Sequence, residues 1–505
     1  MDSANGLSRR SRRFVRILFI ILAALALLYA LLLIPDSPVE IPPAREHQVQ
    51  PPFAWNQDVF WSRLETTFVA TRRSGCASVE PMVRTESARF DLALRRLATG
   101  TFASGDSIFA ELERRMFSVA PLAGACPQFL EQFRDRVSVM RTLVKRQSER
   151  WDMHDRRARE TLYRLLYGGR GAVEEAMLQL PPDRTIPPLT KGTDEPSATP
   201  DASLLGIAIH SGDILVSRGG VPTSALIARG NDFQGNFSHV AMVWIDPKLR
   251  LVKLIESHIE RGVTVSSVED YLRDTKLRVM VLRLRSDLPA VASDPLLPHR
   301  AASFALQHAL AGHIAYDFEL NWQDTTKYFC SEVVSDAYRR FGVDLWMGMS
   351  RISGAGLRRW LADFGVRNFS TQEPSDLEYD PQVRVVAEWR DPETLRQDHF
   401  DNAVTEAMLE DAERGAMLSY PWCQLPLARA AKGWSILLNW FGGVGPVPEG
   451  MSATSALKHQ QYAARHARAK GRVARMAEQF RRECAYAAPY WRLLEFARVA
   501  LSARS

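Results

Sequence analysis

The stretch Ile17–Ile34 carries no charged residue, and a soluble core has little place for such a run. Its length approaches the roughly 20 residues that a helix needs to cross a bilayer. Arg9, Arg10, Arg12, Arg13 and Arg16 precede it, and Asp36 and Glu40 follow. Basic residues on the entry side place the N-terminus in the cytoplasm and the remainder beyond the membrane. A cleaved signal peptide is the alternative, but Leu32-Leu33-Ile34-Pro35 stands where a small-x-small cleavage site belongs. The expectation is an uncleaved anchor: residues 1–35 as cytoplasmic N-terminus and single-pass inner-membrane helix, with an exported, periplasmic main body.

Export bears on the cysteines, which are Cys76, Cys126, Cys330, Cys423 and Cys484. An odd count leaves one thiol over. If that thiol is Cys330, the other four allow three pairings, most simply Cys76–Cys126 with Cys423–Cys484. A fully reduced set is equally open.

A chain of 505 residues exceeds what one core usually holds, so two or three domains are expected. The net charge of +6 argues weakly for anionic surfaces and does not demand nucleic acid. No zinc-finger spacing, P-loop or glycine-rich dinucleotide turn is present. Residues 36–54 are proline-rich and read as an extended spacer. Residues 55–180 read as a helical bundle or stalk, a scaffold in the plainest interpretation. Its clearest piece is Pro127–Tyr167, where Leu130, Phe133, Val137, Met140, Val144, Gln147 and Trp151 step by three and four. Residues 181–203 form a second proline-rich linker.

From 204 to 400 the texture becomes α+β with a mainly antiparallel sheet. Asp213–Ser217, Phe237–Ile245, Arg250–Ser257, Val263–Val265, Leu277–Leu284 and Val383–Trp389 read as strands. Pro222–Arg229, Pro298–Gly312, Tyr328–Gly342 and Gly356–Phe364 read as helices, as does a short turn capped by Ser267. Residues 401–505 form a basic helical tail. Within it Leu427–Phe441 is apolar and tryptophan-rich, though too short to span a bilayer unaided. Ala456–Glu483 is basic, either a contact for anionic lipid or wall polymer or simply a solvated helical face.

The chemistry starts at Cys330. Val333, Val334, Ala337, Tyr338 and Phe341 form one apolar helical face, and Gly342 stops the helix. Cys330 therefore falls at or next to the N-cap, where unpaired N–H groups and the helix dipole favour an anion. A thiol there is expected to ionise more easily and to serve as a nucleophile. The plain alternative is a buried structural cysteine.

A thiol nucleophile needs a base and the base an orienter. If Ile245 and Arg250 close a hairpin around the four-residue loop Asp246–Leu249, His239 stands directly opposite Glu256. Opposed residues share a face, so Glu256 can fix the tautomer of His239. A slip of one residue would separate them. His239 taken alone is as readily a satisfied strand histidine. His258, His308 and His313 are rival bases. A zinc site would need three ligands, for example His239, His258 and Cys330, and the spacing does not support it. No metal or cofactor is expected.

Ser211–Leu215, Phe237–Val243 and Tyr328–Val334 resemble three blocks of the circularly permuted papain-like amidases, the YiiX/YaeF-like branch of the NlpC-type cysteine hydrolases. The histidine strand precedes the cysteine helix here, as in that family. Tyr316-Asp317 also resembles its pattern. The resemblance covers roughly Leu204–Asp391. It implies a permuted papain-like fold, Cys330 as nucleophile, His239 as general base and a polar third residue that matches Glu256. The expected function is a membrane-anchored cysteine hydrolase of an amide, thioester or ester, acting on cell-wall peptide or a lipid amide. A catalytically inactive scaffold and an acyltransferase of the same fold are the rival readings.

Overall fold

The computed structural model describes residues 9–36, 41, 58–181, 184 and 186–502. Residues 1–8 of the expected cytoplasmic tail, and the 36–54 spacer apart from Asp36 and residue 41, lie outside the described residues. Helix α1 (Arg9–Leu32) takes in most of the apolar run. Its segment Arg13–Leu32 is long and apolar enough to cross a membrane or to serve as a signal sequence, and none of it is buried.

Helices α2 (Asp58–Ser74), α3 (Cys76–Thr99), α4 (Ser107–Ala125), α5 (Leu130–Ser148), α6 (Arg156–Leu162) and α7 (Gly168–Leu178) follow. Leu130, Phe133, Val137, Met140, Val144 and Gln147 are buried along α5. The helix does not continue to Tyr167. Asp152 accepts from the His154 N–H and Asp155 from the Arg157 N–H, local bonds that compete with the helical ladder and restart it as α6.

The strands are β1 (Leu189–Lys191), β2 (Asp201–Leu204), β3 (Ile207–His210), β4 (Ile214–Gly219), β5 (His239–Ile245), β6 (Val252–His258), β7 (Gly262–Ser266), β8 (Lys276–Leu284), β9 (Ser350–Arg351), β10 (Ser370–Thr371) and β11 (Val383–Trp389). The main sheet runs β1-β11-β8-β4-β5-β6-β7, antiparallel throughout, with the β2–β3 hairpin and the β9–β10 pair as separate two-stranded sheets. The 181–203 stretch, expected as a linker, thus supplies an edge strand. Proline is tolerated beside β1 because an edge leaves one row of N–H groups unused.

Side chains alternate across the sheet. Ile214, Val216, Val240, Met242, Ile255 and Met280 face a core shared with α11 (Leu297–Ala311) and α12 (Cys330–Arg339). Leu215, Ala241, Val243, Leu254 and Val281 face the β2–β3 hairpin and Tyr271. Helices α8 (Pro222–Arg229), α9 (Val268–Arg273), α10 (Pro289–Ser293) and α13 (Ala355–Asp363) fill the connections. The remaining helices are α14 (Pro392–Glu413), α15 (Leu425–Trp440), α16 (Ala453–Cys484) and α17 (Tyr490–Ser502). The expected boundary at 400 falls inside α14.

The N-terminal helices are held to the sheet by buried charge. Glu388 on β11 accepts from Arg141 (2.9 Å) and Arg170 (3.0 Å), and Arg170 also reaches Glu378. Arg278 on β8 bridges Glu174 (2.6 Å) and Asp398 (2.5 Å). The helical region is a packed layer of the molecule and not a free stalk.

Cys76 and Cys126 form a disulfide with Cα atoms 5.4 Å apart. The expected second bond, Cys423–Cys484, is absent, and both thiols are free and exposed. Cys423 precedes α15, whereas Cys484 ends the 32-residue α16. A helix of that length extends about 48 Å, and it carries Cys484 away from its start.

Candidate active site

The geometry begins with α12, whose first residue is Cys330. Phe329 donates its N–H to Glu332 Oε2 (2.7 Å), the reach-back contact of a capping box. Ser257 Oγ donates to the Tyr328 carbonyl (2.6 Å), so β6 holds the chain just ahead of the cysteine. Cys330 is buried, at 5% exposure, in the core between the sheet and α12. As the first helical residue it has no carbonyl one turn back for its N–H.

His239 is the first residue of β5. Its Nε2 lies 2.7 Å from Glu256 Oε2. The pairing register is not the expected one. Ala241, not His239, stands opposite Glu256. Asp246 Oδ1 accepts from the N–H groups of Lys248 and Leu249, and Arg250 sits at φ 57°, so the loop extends to Leu251 and strand β6 starts two residues late. A slip of two keeps Glu256 on the face of His239, and the contact forms diagonally.

The late register also brings in His258, one of the rival bases. Its Nε2 lies 3.2 Å from the other Glu256 oxygen, and the two imidazole centroids are 5.3 Å apart. A longer hairpin loop was the signal that would have found it. His308 packs against Phe304 and Tyr328, and His313 pairs with Glu449 (2.6 Å). Neither lines the groove that contains the other three.

That groove has a volume of about 1370 Å³ and is lined by His239, Glu256, His258, Tyr316 and Cys330 on one side. Its far wall comes from α15 and α16, with Leu427, Ala431, Leu457 and His459. Behind Cys330 a second, mostly apolar chamber of about 110 Å³ is lined by Leu226, Phe318, Leu320, Phe364 and Val366. Among the described residues no hydrogen bond joins the Cys330 sulfur to the His239 ring. The sulfur lies against the backbone N–H of Val240, the residue after His239.

Residues 208–386 match the family of permuted papain-like amidases, YaeF/YiiX, C92. The match contains His239, Glu256 and Cys330 and omits the helical regions on both sides. A solved structure, the metalloprotein YiiX from Escherichia coli O157:H7, aligns at 18% identity over 36% of this chain and 98% of its own, with a TM-score of 0.27. No curated protein matches the chain.

Within this amidase-family segment the electrostatics differ from the sequence expectation. Burial pushes the Cys330 thiol up to about 12, against the Val240 N–H and Ser331, which favour the thiolate. Desolvation thus outweighs the helix N-terminus. Burial also lowers the His239 imidazole, opposed by its bond to Glu256. Burial alone would raise the Glu256 carboxyl, but hydrogen bonds from His239 and His258 hold it well below the usual range. The resting site is therefore a neutral thiol, a neutral imidazole and a carboxylate. With Nε2–H donated to Glu256, the lone pair sits on Nδ1.

One ligand atom each from His239, Glu256 and His258 lies within 4.8 Å of the others, a set that could hold a divalent cation. This set contains no cysteine. Any cation bound there would take the imidazole nitrogen that now pairs with Glu256.

Proposed function

We propose that the chain is a membrane-anchored cysteine hydrolase that cleaves an amide, or a thioester or ester, by acyl transfer. The observation that carries this is one groove receiving both a helix-mouth cysteine and a Glu256-bound imidazole. The family match to amidases supports the reaction class. The Cys76–Cys126 bond and the apolar α1 favour an exported body held at a membrane.

In this reading His239 Nδ1 takes the Cys330 proton as the sulfur bonds the carbonyl carbon and the C=O pair moves onto oxygen. The Cys330 N–H, unused by the helix, stabilises that oxyanion. Collapse expels the amine, which leaves with the proton from His239. Water, deprotonated by the same nitrogen, then releases the acid. Glu256 holds the ring and stabilises its cation. Because thiol and imidazole both rest neutral, proton transfer accompanies attack.

The substrate is an envelope amide, either wall peptide or a lipid amide. The exported location supports the first. The apolar chamber beside Cys330 favours the second, since it offers an acyl chain a dry seat.

The test is turnover and covalent labelling of Cys330 with amide-mimicking electrophiles of both kinds, peptidyl and long-chain acyl. Wild type should be labelled and Cys330→Ala should not. Absence of any Cys330-dependent labelling would leave a scaffold. Transfer of the acyl group to an added amine or lysolipid in place of water would make it an acyltransferase. Loss of turnover on chelation, with thiol alkylation harmless, would assign the chemistry to a metal at His239, Glu256 and His258 and overturn the thiol reading.

A further inference from the structure

Outside the family match, α15 presents an apolar surface that nothing among the described residues covers. Leu427, Trp434, Leu437 and Phe441 step by seven, three and four residues, one stripe of a helix. Leu427 is 74% exposed and Phe441 82%. Trp440, on the neighbouring turn, is 78% exposed, and Trp422, just ahead of the helix, is exposed as well. The opposite face, with Leu425, Ala428 and Ser435, is buried. Exposed apolar patches of this kind mark interaction surfaces.

The position of α15 identifies what covers the stripe. The helix packs against α1 at the end of the apolar span. Arg429 donates to the carbonyl of Leu31 (3.2 Å) and to that of Ile34, and pairs with Asp36 (3.1 Å). Asp36 in turn meets Thr454 at the start of α16, through N–H contacts of 3.3 Å in each direction. These are a carbonyl in the last turn of α1, another two residues beyond the helix, and the first charge after it. If α1 crosses the bilayer, they mark the level at which the chain leaves the hydrocarbon. A helix pinned at that level, with leucine, phenylalanine and tryptophan outward, has the composition of an in-plane interfacial helix.

We propose that α15 lies in the surface of the bilayer, with Leu427, Trp434, Leu437, Trp440 and Phe441 immersed in the headgroup–acyl boundary. This rests on the reading of α1 as an anchor. It also has a consequence for the groove. Gln424, Leu427, Ala428 and Ala431 of the same segment line its far wall. The groove that receives Cys330 therefore borders the helix that this proposal places at the lipid surface.

The experiment uses the full chain with Cys330, Cys423 and Cys484 replaced by serine and the Cys76–Cys126 bond kept. Single cysteines are introduced by W434C, W440C, L22C on α1 and R84C on the exposed side of α3. Each is labelled with a polarity-sensitive fluorophore and reconstituted in phosphatidylcholine–phosphatidylglycerol vesicles. Some vesicles carry a nitroxide near the headgroup and others one near the acyl end. The labels at 434 and 440 should lose about half their emission or more to the shallow nitroxide and less to the deep one, as immersion by about 5–10 Å requires. The label at 22 should respond more to the deep nitroxide, and the label at 84 to neither. Quenching at 22 without quenching at 434 and 440 overturns the proposal and leaves the anchor standing. Absence of quenching at all of them shows that the anchor reading failed, and the proposal with it. A blue-shifted but unquenched signal at 434 and 440 that grows with protein concentration means a second copy covers the stripe, which also overturns it.

Discussion

Glu256 is shared by two imidazoles, and this sharing shapes the chemistry at the residue scale. Its carboxylate counters the burial that depresses His239. Glu256→Gln keeps the shape and removes the charge, so the imidazolium formed during attack loses its partner. We expect acylation of Cys330 to slow by about 10²–10⁴-fold, measured in single turnover on a variant whose circular dichroism is unchanged. The pH dependence follows from the two shifts. His239 is the base only when unprotonated, and burial lowers it, so the acid limb of kcat/KM should lie below the ordinary histidine value near 6.5. The thiol is raised to about 12, so alkylation of Cys330 by iodoacetamide in the absence of substrate should keep rising through the range where a free thiol has levelled off. A plateau near neutral pH would show a preformed thiolate and contradict this. Cys330, His239 and Glu256 were legible as candidates because each stands in a local pattern: a helix mouth, a strand start and an alternating strand. The state of the thiol was not, because it depends on what covers the sulfur.

At the scale of elements, periodicity located the strands and helices, while their pairing depended on turn chemistry that hydrophobic pattern does not report. The β5–β6 loop is longer than expected because the Asp246 side chain takes two backbone N–H groups. The same physics separates α5 from α6 at Asp152 and Asp155. The join between the N-terminal helices and the sheet was invisible in the pattern, since it rests on buried charges that read as ordinary surface residues. Removing one member leaves a buried charge short of a partner. Glu388→Gln, which takes the carboxylate from Arg141 and leaves Arg170 with Glu378 alone, should therefore lower stability by about 3–5 kcal/mol, read from the midpoint of urea unfolding.

At the scale of the whole molecule, the candidate groove is a composite. The segment that matches the amidase family supplies Cys330, His239 and Glu256, and α15 and α16 from the tail close the far wall. Three of the basic residues of α16 hold it to α13 and α14: Lys458 pairs with Asp363, Arg465 with Asp411 and Lys470 with Asp401 (2.8 Å). Cys76–Cys126, spanning 50 residues, ties α3 to the end of α4. Cys76→Ser with Cys126→Ser should cost about 2–4 kcal/mol, whereas Cys423→Ser with Cys484→Ser should leave the unfolding midpoint unchanged, since those thiols are free. The sequence by itself determined what is local: an apolar span behind a basic cluster, a histidine strand ahead of a cysteine helix, and the alternation that makes a sheet. Neighbours along the chain are enough for these. Only the tertiary structure decided which charges are buried together, which cysteines meet, what protonation state the sulfur rests in and which distant helix walls the groove. Desolvation and pairing are set by residues hundreds of positions apart, and no local pattern encodes their distance.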